Sequence, residues 1–248
     1  MKKHIKLFVL IMALITVFLI YKGFEKNTLD VNYIALGDSV AIGQNSYGDI
    51  GYGYSDYISE YFAKNDRLDF YTKGFAKSGY TTEDIMEDIE INKTIEVDNE
   101  AISIKEALRE SDLVTLSIGA NNLLKGLSPS NFSSKFENLV ESKKEIDEIV
   151  KDVKILVEEI KKYAKNKIVL VGYYNPLPRL TIIKEELDEL VKYSNNLYED
   201  ICDDLDIICV DIFDIFEENT KYLPNPLDIH PNTQGYKEIA DRIIKEIE

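Results

Sequence analysis

Apolar and polar positions alternate along the chain in two kinds of segment. Short runs that are apolar at nearly every position end at a glycine or a polar turn, and they predict five strands, over residues 32–36, 68–71, 113–118, 168–172 and 207–212. Longer segments have apolar residues at helical spacing, and they predict helices over residues 55–64, 83–91, 101–110, 135–165, 182–202 and 234–247. Apolar strands that alternate with amphipathic helices are typical of a parallel sheet covered on both faces.

The first residues have a different character. Basic side chains at the N-terminus precede a run over residues 7–20 that is apolar except at Thr16, which is the pattern of an export signal. Residues 21–26 offer no A-x-A-like cleavage site, so we expect an uncleaved signal anchor over residues 1–26, with a cleaved signal peptide as the alternative. The basic end then stays inside the cell, and the remaining domain, residues 27–248, lies outside the membrane of a bacterium or is secreted.

Composition and charge narrow the function classes. The 248 residues suffice for one α/β domain, and a formal net charge of −16 excludes nucleic acid and anionic lipid surfaces as electrostatic partners. The only two histidines are His4 and His230, which excludes a histidine-rich metal site, and we expect neither metal nor cofactor. For the two cysteines, Cys202 and Cys209, we expect buried thiols, with a disulfide between helix end and strand as the alternative.

The most informative stretch is residues 32–43, NYIALGDSVAIG. A buried strand there stops at Gly37 and presents Ser39 at the start of a helix, whose free backbone N–H groups can receive negative charge. Taken alone, the stretch also fits an ordinary turn. Polar turns near Gly79 and at Gly119–Asn122 follow other strands, and the carboxyl ends of parallel strands are where such folds bind ligands.

Such a turn is one way to make Ser39 a nucleophile. The other groups that a nucleophilic serine needs lie farther along the chain. His230 is the one histidine of the domain, and an imidazole has the basicity that a general base for a hydroxyl needs. Asp228 stands two residues before it and can orient the ring. The backbone N–H groups of Ser39 and Gly79 and the amide of Asn121 can serve as oxyanion donors.

These four blocks, in this order, resemble the SGNH (GDSL-type) hydrolase family. The matching residues lie in Gly37-Asp38-Ser39, in the turn with Gly79, in Gly119-Ala120-Asn121 and in His230-Pro231-Asn232. Within the family the chain looks like the membrane-associated lipase/acylhydrolase-like proteins of Gram-positive bacteria, from residue 32 to the C-terminus. The resemblance implies a three-layer α/β/α sandwich of flavodoxin-like type and hydrolysis of an ester or thioester through a Ser39 acyl-enzyme, without metal or cofactor.

Two positions depart from the family pattern. The acid usually stands three residues before the histidine, where this chain has Leu227, so either Asp228 or the Leu227 carbonyl orients His230. Asn122 stands where the family often has Asp, and we interpret it as a structural residue of the turn. We interpret Asp38 in the same way.

The sequence therefore predicts a serine esterase of lipase type that acts on a small-molecule, lipid or glycan ester. Two alternatives stay open: an O-acetyl esterase of cell-wall glycan, and a binding module with this fold that has lost turnover. The loops over residues 47–54, 126–134 and 173–178 are expected to shape the substrate cleft.

Overall fold

Five parallel strands form the central sheet of the computed structural model, which describes residues 30–125, 136 and 138–248. The predicted anchor and the boundary after residue 26 lie outside the described residues. The described strands are β1 Val31–Gly37, β2 Leu68–Thr72, β3 Thr94–Val97, β4 Glu100–Ser103, β5 Leu113–Ser117, β6 Lys167–Val171 and β7 Ile208–Val210. Of these, β3 and β4 form a separate two-stranded sheet. The helices are α1 Ser39–Ile42, α2 Tyr54–Lys64, α3 Thr82–Glu90, α4 Ile104–Glu110, α5 Ala120–Leu124, α6 Leu139–Tyr163, α7 Lys184–Leu205, α8 Phe213–Glu218 and α9 Thr233–Ile247.

The strand order is β2-β1-β5-β6-β7, and every neighbouring pair is parallel. The predicted α/β fold class and the five-stranded parallel sheet are confirmed. From β1 the chain goes first to β2 on one side and then crosses back to β5 on the other side. The carboxyl ends of β1 and β5 therefore flank the point where the strand order reverses, which is where open α/β sheets bind ligands.

Helices cover both faces of the sheet, and the alternation of side chains along β1 shows how. Tyr33 and Ala35 point into one apolar cluster, shared with α2 and α9, and Ile34 and Leu36 point into the other, shared with α3, α4, α6 and α7. All four side chains are fully buried. Because both faces are covered, β1 has no polar position before Gly37 except Asn32 near its start.

The prediction of a helix over residues 101–110 is wrong in its first part. Residues Glu100–Ser103 form β4, which pairs antiparallel with β3, and the helix begins only at Ile104. The turn between β3 and β4 consists of Asp98 and Asn99, both with positive φ (51° and 67°), as a two-residue hairpin turn requires. The helix-forming residues after Ile104 concealed this short hairpin in the sequence pattern.

The expectation of two buried thiols is also wrong. Cys202, near the end of α7, and Cys209, in β7, form a disulfide with a Cα–Cα distance of 5.8 Å. The helix ends at Leu205, and the left-handed backbone of its C-cap residue Asp206 (φ 50°) turns the chain back along the last helical turn. This reversal brings the two cysteines within disulfide range, a geometry that their separation in sequence did not settle.

A buried acid shapes the turn between β1 and α1. Asp38 is the N-cap of α1: its side chain accepts a hydrogen bond from the Val40 N–H (3.0 Å) and another from the Ser117 hydroxyl (3.3 Å). These contacts agree with the structural role expected for it. Burial raises the pKa of the Asp38 carboxyl from 3.8 to about 6, against the opposing effect of these hydrogen bonds.

We predict that Asp38→Asn makes stability less dependent on pH. Asn keeps the acceptor oxygen of the cap, and it removes the charge. In the native protein the carboxyl favours the folded state fully below pH 3.8, and this contribution is lost as the pH rises through about 6. The free energy of unfolding of the variant, relative to that of wild type, should therefore be about 3 kcal/mol higher at pH 7 than at pH 3.5. Urea unfolding at both pH values measures this.

The exposed Asp49→Asn is the matched control, because it removes one negative charge from a nearby surface loop. An equal Asp38→Asn difference at both pH values would contradict the assignment of a strongly titrating Asp38.

Candidate active site

Ser39 is the first residue of the four-residue helix α1, directly after β1 and the Asp38 cap. It lines a cavity and is 7% exposed. At the first turn of a helix the backbone N–H groups have no partner within the helix, so they are free to bind other acceptors. The sequence pattern of a strand, a glycine and a helix start thus produces the expected local geometry.

His230 comes from the opposite end of the chain and contacts Ser39 directly. The distance from His230 Nε2 to Ser39 Oγ is 2.8 Å, that of a good hydrogen bond. The histidine is buried, between the loop after α8 and the start of α9. Asn232 caps α9 by accepting from the Gly235 N–H (2.9 Å), which fixes where the helix begins and where the preceding loop ends.

Asp228 contacts the other ring nitrogen of His230. Its Oδ1 lies 2.9 Å from His230 Nδ1 and also accepts the backbone N–H of His230 at 2.9 Å. A tight turn lets one carboxylate oxygen serve both groups across a spacing of two residues. The Asp228 carboxylate therefore lies where one of the two alternatives raised by the sequence requires it.

Asn121 and Gly79 lie on neighbouring turns. The Asn121 side-chain N–H donates to the Tyr80 carbonyl (2.9 Å), and the Lys77 N–H donates to the Gly37 carbonyl (3.1 Å). These bonds attach the Gly79 turn to both the Asn121 turn and the end of β1. Ser39 and Asn121 line the same cavity, whereas Gly79, with φ +84°, lies on the adjoining turn.

The residues interpreted as structural make structural contacts. Asn122 accepts from the Thr82 N–H (3.2 Å) and donates to the Thr82 hydroxyl (2.9 Å) at the start of α3. It therefore ties the Asn121 turn to α3 and does not face the cavity.

Only some residues of the loops expected to shape the cleft line the cavity. Tyr173 and Tyr174 line the cavity, and Tyr54 belongs to the core. Tyr47 and Tyr52 are exposed. Residues 126–134 lie outside the described part of the chain.

A largely apolar cavity of about 130 Å³ extends away from Ser39. It lies between α6 and α7, under the loop after β6, and Ser39 and Asn121 stand on its wall. Aliphatic side chains of two helices form one part of the lining, from α6 (Ile146, Ile149, Val150) and from α7 (Leu187, Leu190, Val191). An apolar cavity that begins at a buried hydroxyl suits an acyl chain.

Two residues near His230 were not predicted as site residues from the sequence. Gln44 Nε2 lies 3.4 Å from His230 Nδ1, and the Tyr174 hydroxyl donates to the Ile229 carbonyl (2.7 Å). A lone glutamine after a short helix matches no motif, so Gln44 has no signal in the sequence. Tyr174 falls within the loop over residues 173–178, which the sequence predicts only as part of the substrate cleft.

Two features are absent from the described residues. Among residues 30–125, 136 and 138–248, no cluster of His, Cys, Asp and Glu side chains could hold a metal ion. Within the same ranges no helix is both long and apolar enough to cross a membrane.

Comparison with solved structures identifies relatives of the fold. A lipase, Lip_vut3, from a goat rumen metagenome matches with a TM-score of 0.65 and 20% identity, over 86% of this chain and 96% of that one. The extracellular lipase of Streptomyces rimosus matches with a TM-score of 0.59 and 16% identity, over 84% and 97%. Axe2, an acetylxylan esterase of Geobacillus stearothermophilus, matches with 0.57 and 20%, over 87% and 93%.

Sequence comparison agrees with the structural one. The uncharacterized protein YpmR of Bacillus subtilis (strain 168) is 24% identical over 217 residues, which is 86% of this chain and 80% of YpmR. The model of the GDSL-like lipase/acylhydrolase family matches residues 35–238, a range that includes Ser39, Gly79, Asn121 and His230. The chain therefore belongs to the GDSL-like lipase/acylhydrolase family of ester-hydrolysing enzymes.

Proposed function

We propose that Ser39, His230 and Asp228 act as a catalytic triad. The observation that carries this proposal is the continuous pair of contacts, 2.8 Å from Ser39 Oγ to His230 Nε2 and 2.9 Å from His230 Nδ1 to Asp228 Oδ1. With its Nδ1 proton held by Asp228, the ring presents the Nε2 lone pair to the serine hydroxyl.

The reaction proceeds in two acyl transfers. Ser39 Oγ attacks the ester carbonyl carbon while its proton passes to His230 Nε2, and the proton then goes to the leaving alcohol oxygen as the ester bond breaks. Water attacks the Ser39 acyl-enzyme in the same manner, with His230 again accepting a proton and returning it to Ser39. The products are the carboxylic acid and the alcohol.

The negative oxygen of each tetrahedral intermediate needs donors. We assign this role to the backbone N–H groups of Ser39 and Gly79 and to the amide of Asn121. An amide NH₂ has two N–H groups, so the Asn121 bond to Tyr80 leaves one N–H for the substrate oxygen. Each such donor contributes about 3 kcal/mol to transition-state stabilisation.

Asp228→Asn tests the assignment of the acid. The amide cannot stabilise the imidazolium as a carboxylate does and can hold the ring in the wrong tautomer, so we predict that kcat falls by about 10²–10⁴-fold. Steady-state hydrolysis of a p-nitrophenyl ester measures this. A loss of less than about tenfold would return the orienting role to the Leu227 carbonyl.

The shape of the cavity supports a chain-like acyl group. A cavity of about 130 Å³ is close in size to an engineered apolar cavity of about 150 Å³ that accepts benzene, so about six carbons fit. Each buried methylene adds about 0.8 kcal/mol, which is about fourfold in kcat/KM when the contact persists in the transition state. We therefore propose short-to-medium-chain esters as the substrate class, with the O-acetyl esterase as the alternative.

A chain-length series of p-nitrophenyl esters from acetate to palmitate tests this class. We predict that kcat/KM rises by about 10²-fold from acetate to hexanoate, because hexanoate adds four methylenes. Val150→Phe, which narrows the cavity from α6, should abolish most of this gain and leave acetate hydrolysis within about twofold. Val140→Phe is the matched control, because Val140 lies on the same helix but is 82% exposed.

Other outcomes of this series point to the alternatives. A maximum at acetate that Val150→Phe leaves unchanged would favour the acetyl esterase. Absence of turnover on every ester, together with no labelling of Ser39 by a fluorophosphonate, would indicate a binding module that has lost catalysis.

We further propose that the catalytic domain works outside the cytoplasmic membrane, held by residues 1–26. The basic and then apolar N-terminal pattern supports export. The Cys202–Cys209 disulfide supports an oxidising compartment, where such bonds persist.

Protease treatment of intact cells tests this location. For the full chain produced with a C-terminal epitope in a Gram-positive host, we predict a membrane-bound domain that is released by detergent and digested from outside. A variant lacking residues 1–26 is the control and should stay inside. Protection of the full chain in intact cells would contradict export, and recovery in the medium would indicate a cleaved signal.

A further inference from the structure

Gln44 lies where three parts of the site meet. It follows α1, whose first residue is Ser39, and its side-chain Nε2 is 3.4 Å from His230 Nδ1. The Ser78 hydroxyl, on the turn next to Gly79, donates to Gln44 Oε1. One half-buried glutamine thus contacts both the histidine and the turn that carries an oxyanion donor.

The backbone holds Gln44 firmly in this place. Its N–H donates to the Ser39 carbonyl (2.9 Å), and its own carbonyl accepts from the Tyr236 hydroxyl (2.5 Å). It also forms an isolated antiparallel bridge with Ile50. Little further ordering is therefore needed for the side chain to act on His230.

The position of the ring proton decides which amide atom suits His230. The Asp228 carboxylate can only accept, and it lies 2.9 Å from Nδ1, so Nδ1 carries a proton whenever Nε2 is free to accept from Ser39. A protonated Nδ1 has no lone pair for the Gln44 N–H. The favourable contact therefore presents Gln44 Oε1 to the ring, and a half-turn of the amide about the Cγ–Cδ bond achieves it.

Ser78 can form a hydrogen bond with the Gln44 amide in either orientation. A hydroxyl both donates and accepts, so Ser78 bonds to Oε1 before the half-turn and to the Nε2 hydrogens after it. Neither orientation leaves a side-chain partner of Gln44 unpaired.

We propose that Gln44 is a positioning residue that supplies a second acceptor to the Nδ1–H of His230 and links this ring to the Gly79 turn through Ser78. When Nε2 takes the Ser39 proton, the ring becomes positive while its Nδ1 proton stays in place. The partial negative charge of Gln44 Oε1 then stabilises the imidazolium together with Asp228. This role rests on the proposed function of His230 as the base.

Two substitutions at Gln44 separate an electrostatic role from a packing role. Gln44→Glu keeps the size and adds a full negative charge, and Gln44→Met keeps the length and removes the acceptor. The same substitutions at Gln234, the other glutamine of the chain and an exposed residue of α9, are the matched controls.

The first measurement follows the His230 ring by NMR titration in the full-length protein, with the His4 signal identified by a His4→Asn variant. We expect the titration midpoint to rise by about one pH unit in Gln44→Glu and to fall by about 0.5 unit in Gln44→Met. Both Gln234 variants should titrate as wild type does. Midpoints within about 0.2 unit of wild type in both Gln44 variants would overturn the proposal.

The second measurement is the pH dependence of hydrolysis. Gln44→Met should lower kcat by about threefold, which is the rate equivalent of a midpoint lowered by about 0.5 unit, while KM stays unchanged. The acidic limb of the kcat/KM profile should move in the same direction as the NMR midpoint. A lower kcat with an unmoved limb would mean a packing role and would also overturn the proposal.

Ser78→Ala keeps the test valid if a Gln44 variant fails to fold. It should shift the titration midpoint of His230 in the same direction as Gln44→Met does, by a smaller amount. An unchanged midpoint would contradict the proposed connection of Gln44 to the Gly79 turn through Ser78. If the Gln44 variants show the expected midpoint shifts but wild type turns over no ester, the proposed function fails while the Gln44 contact stands, so the two failures are distinguishable.

Discussion

The close approach of Gly37 to Ser117 is the contact on which the site depends. These residues end the paired strands β1 and β5 in register, and a Cβ on Gly37 would lie 2.0 Å from the Ser117 carbonyl oxygen. With φ +134°, Gly37 adopts a backbone that other residues rarely reach. The next residue, Asp38, donates its N–H to the same carbonyl (3.0 Å), so the turn that presents Ser39 is built directly on the end of β5.

This geometry explains which features of the sequence were informative. Gly37 and Ser39 act through local backbone structure, and the apolar strand before them predicts both the strand and its end. Parallel pairing then brings the ends of β1 and β5 together, so Asn121 could be assigned to the site from its place after a strand. His230 could be assigned because the domain has no other histidine.

Features set by the geometry of single turns were not predictable. The disulfide depends on the left-handed turn at Asp206, and the β3–β4 hairpin depends on two positive-φ residues followed by a helix. The orientation of His230 depends on a turn that lets Asp228 Oδ1 bind both the ring and the backbone. Each of these is a small local geometry that several sequences satisfy, and no periodicity marks it.

Buried tyrosines show the same limit of sequence patterns, and they explain how distant loops stay in place. Tyr174 donates to the Ile229 carbonyl next to His230, Tyr236 donates to the Gln44 carbonyl, and Tyr198 donates to the Ile118 carbonyl next to Gly119 (2.8 Å). Burial raises the pKa of all three hydroxyls well above 10, and the negative charge of Asp38 raises it further.

These hydroxyls are donors at neutral pH, where a tyrosine keeps its O–H even at its ordinary pKa of about 10. They hold the backbone carbonyls of Ile229, Gln44 and Ile118 in place. Burial and the charge of Asp38 raise the pKa of each hydroxyl and so extend its neutral range to higher pH. The positions of Ser39, His230 and Asn121 therefore rest on the sheet, on the caps and on these neutral hydroxyls together. Of these supports, only the sheet is visible in the hydrophobic pattern.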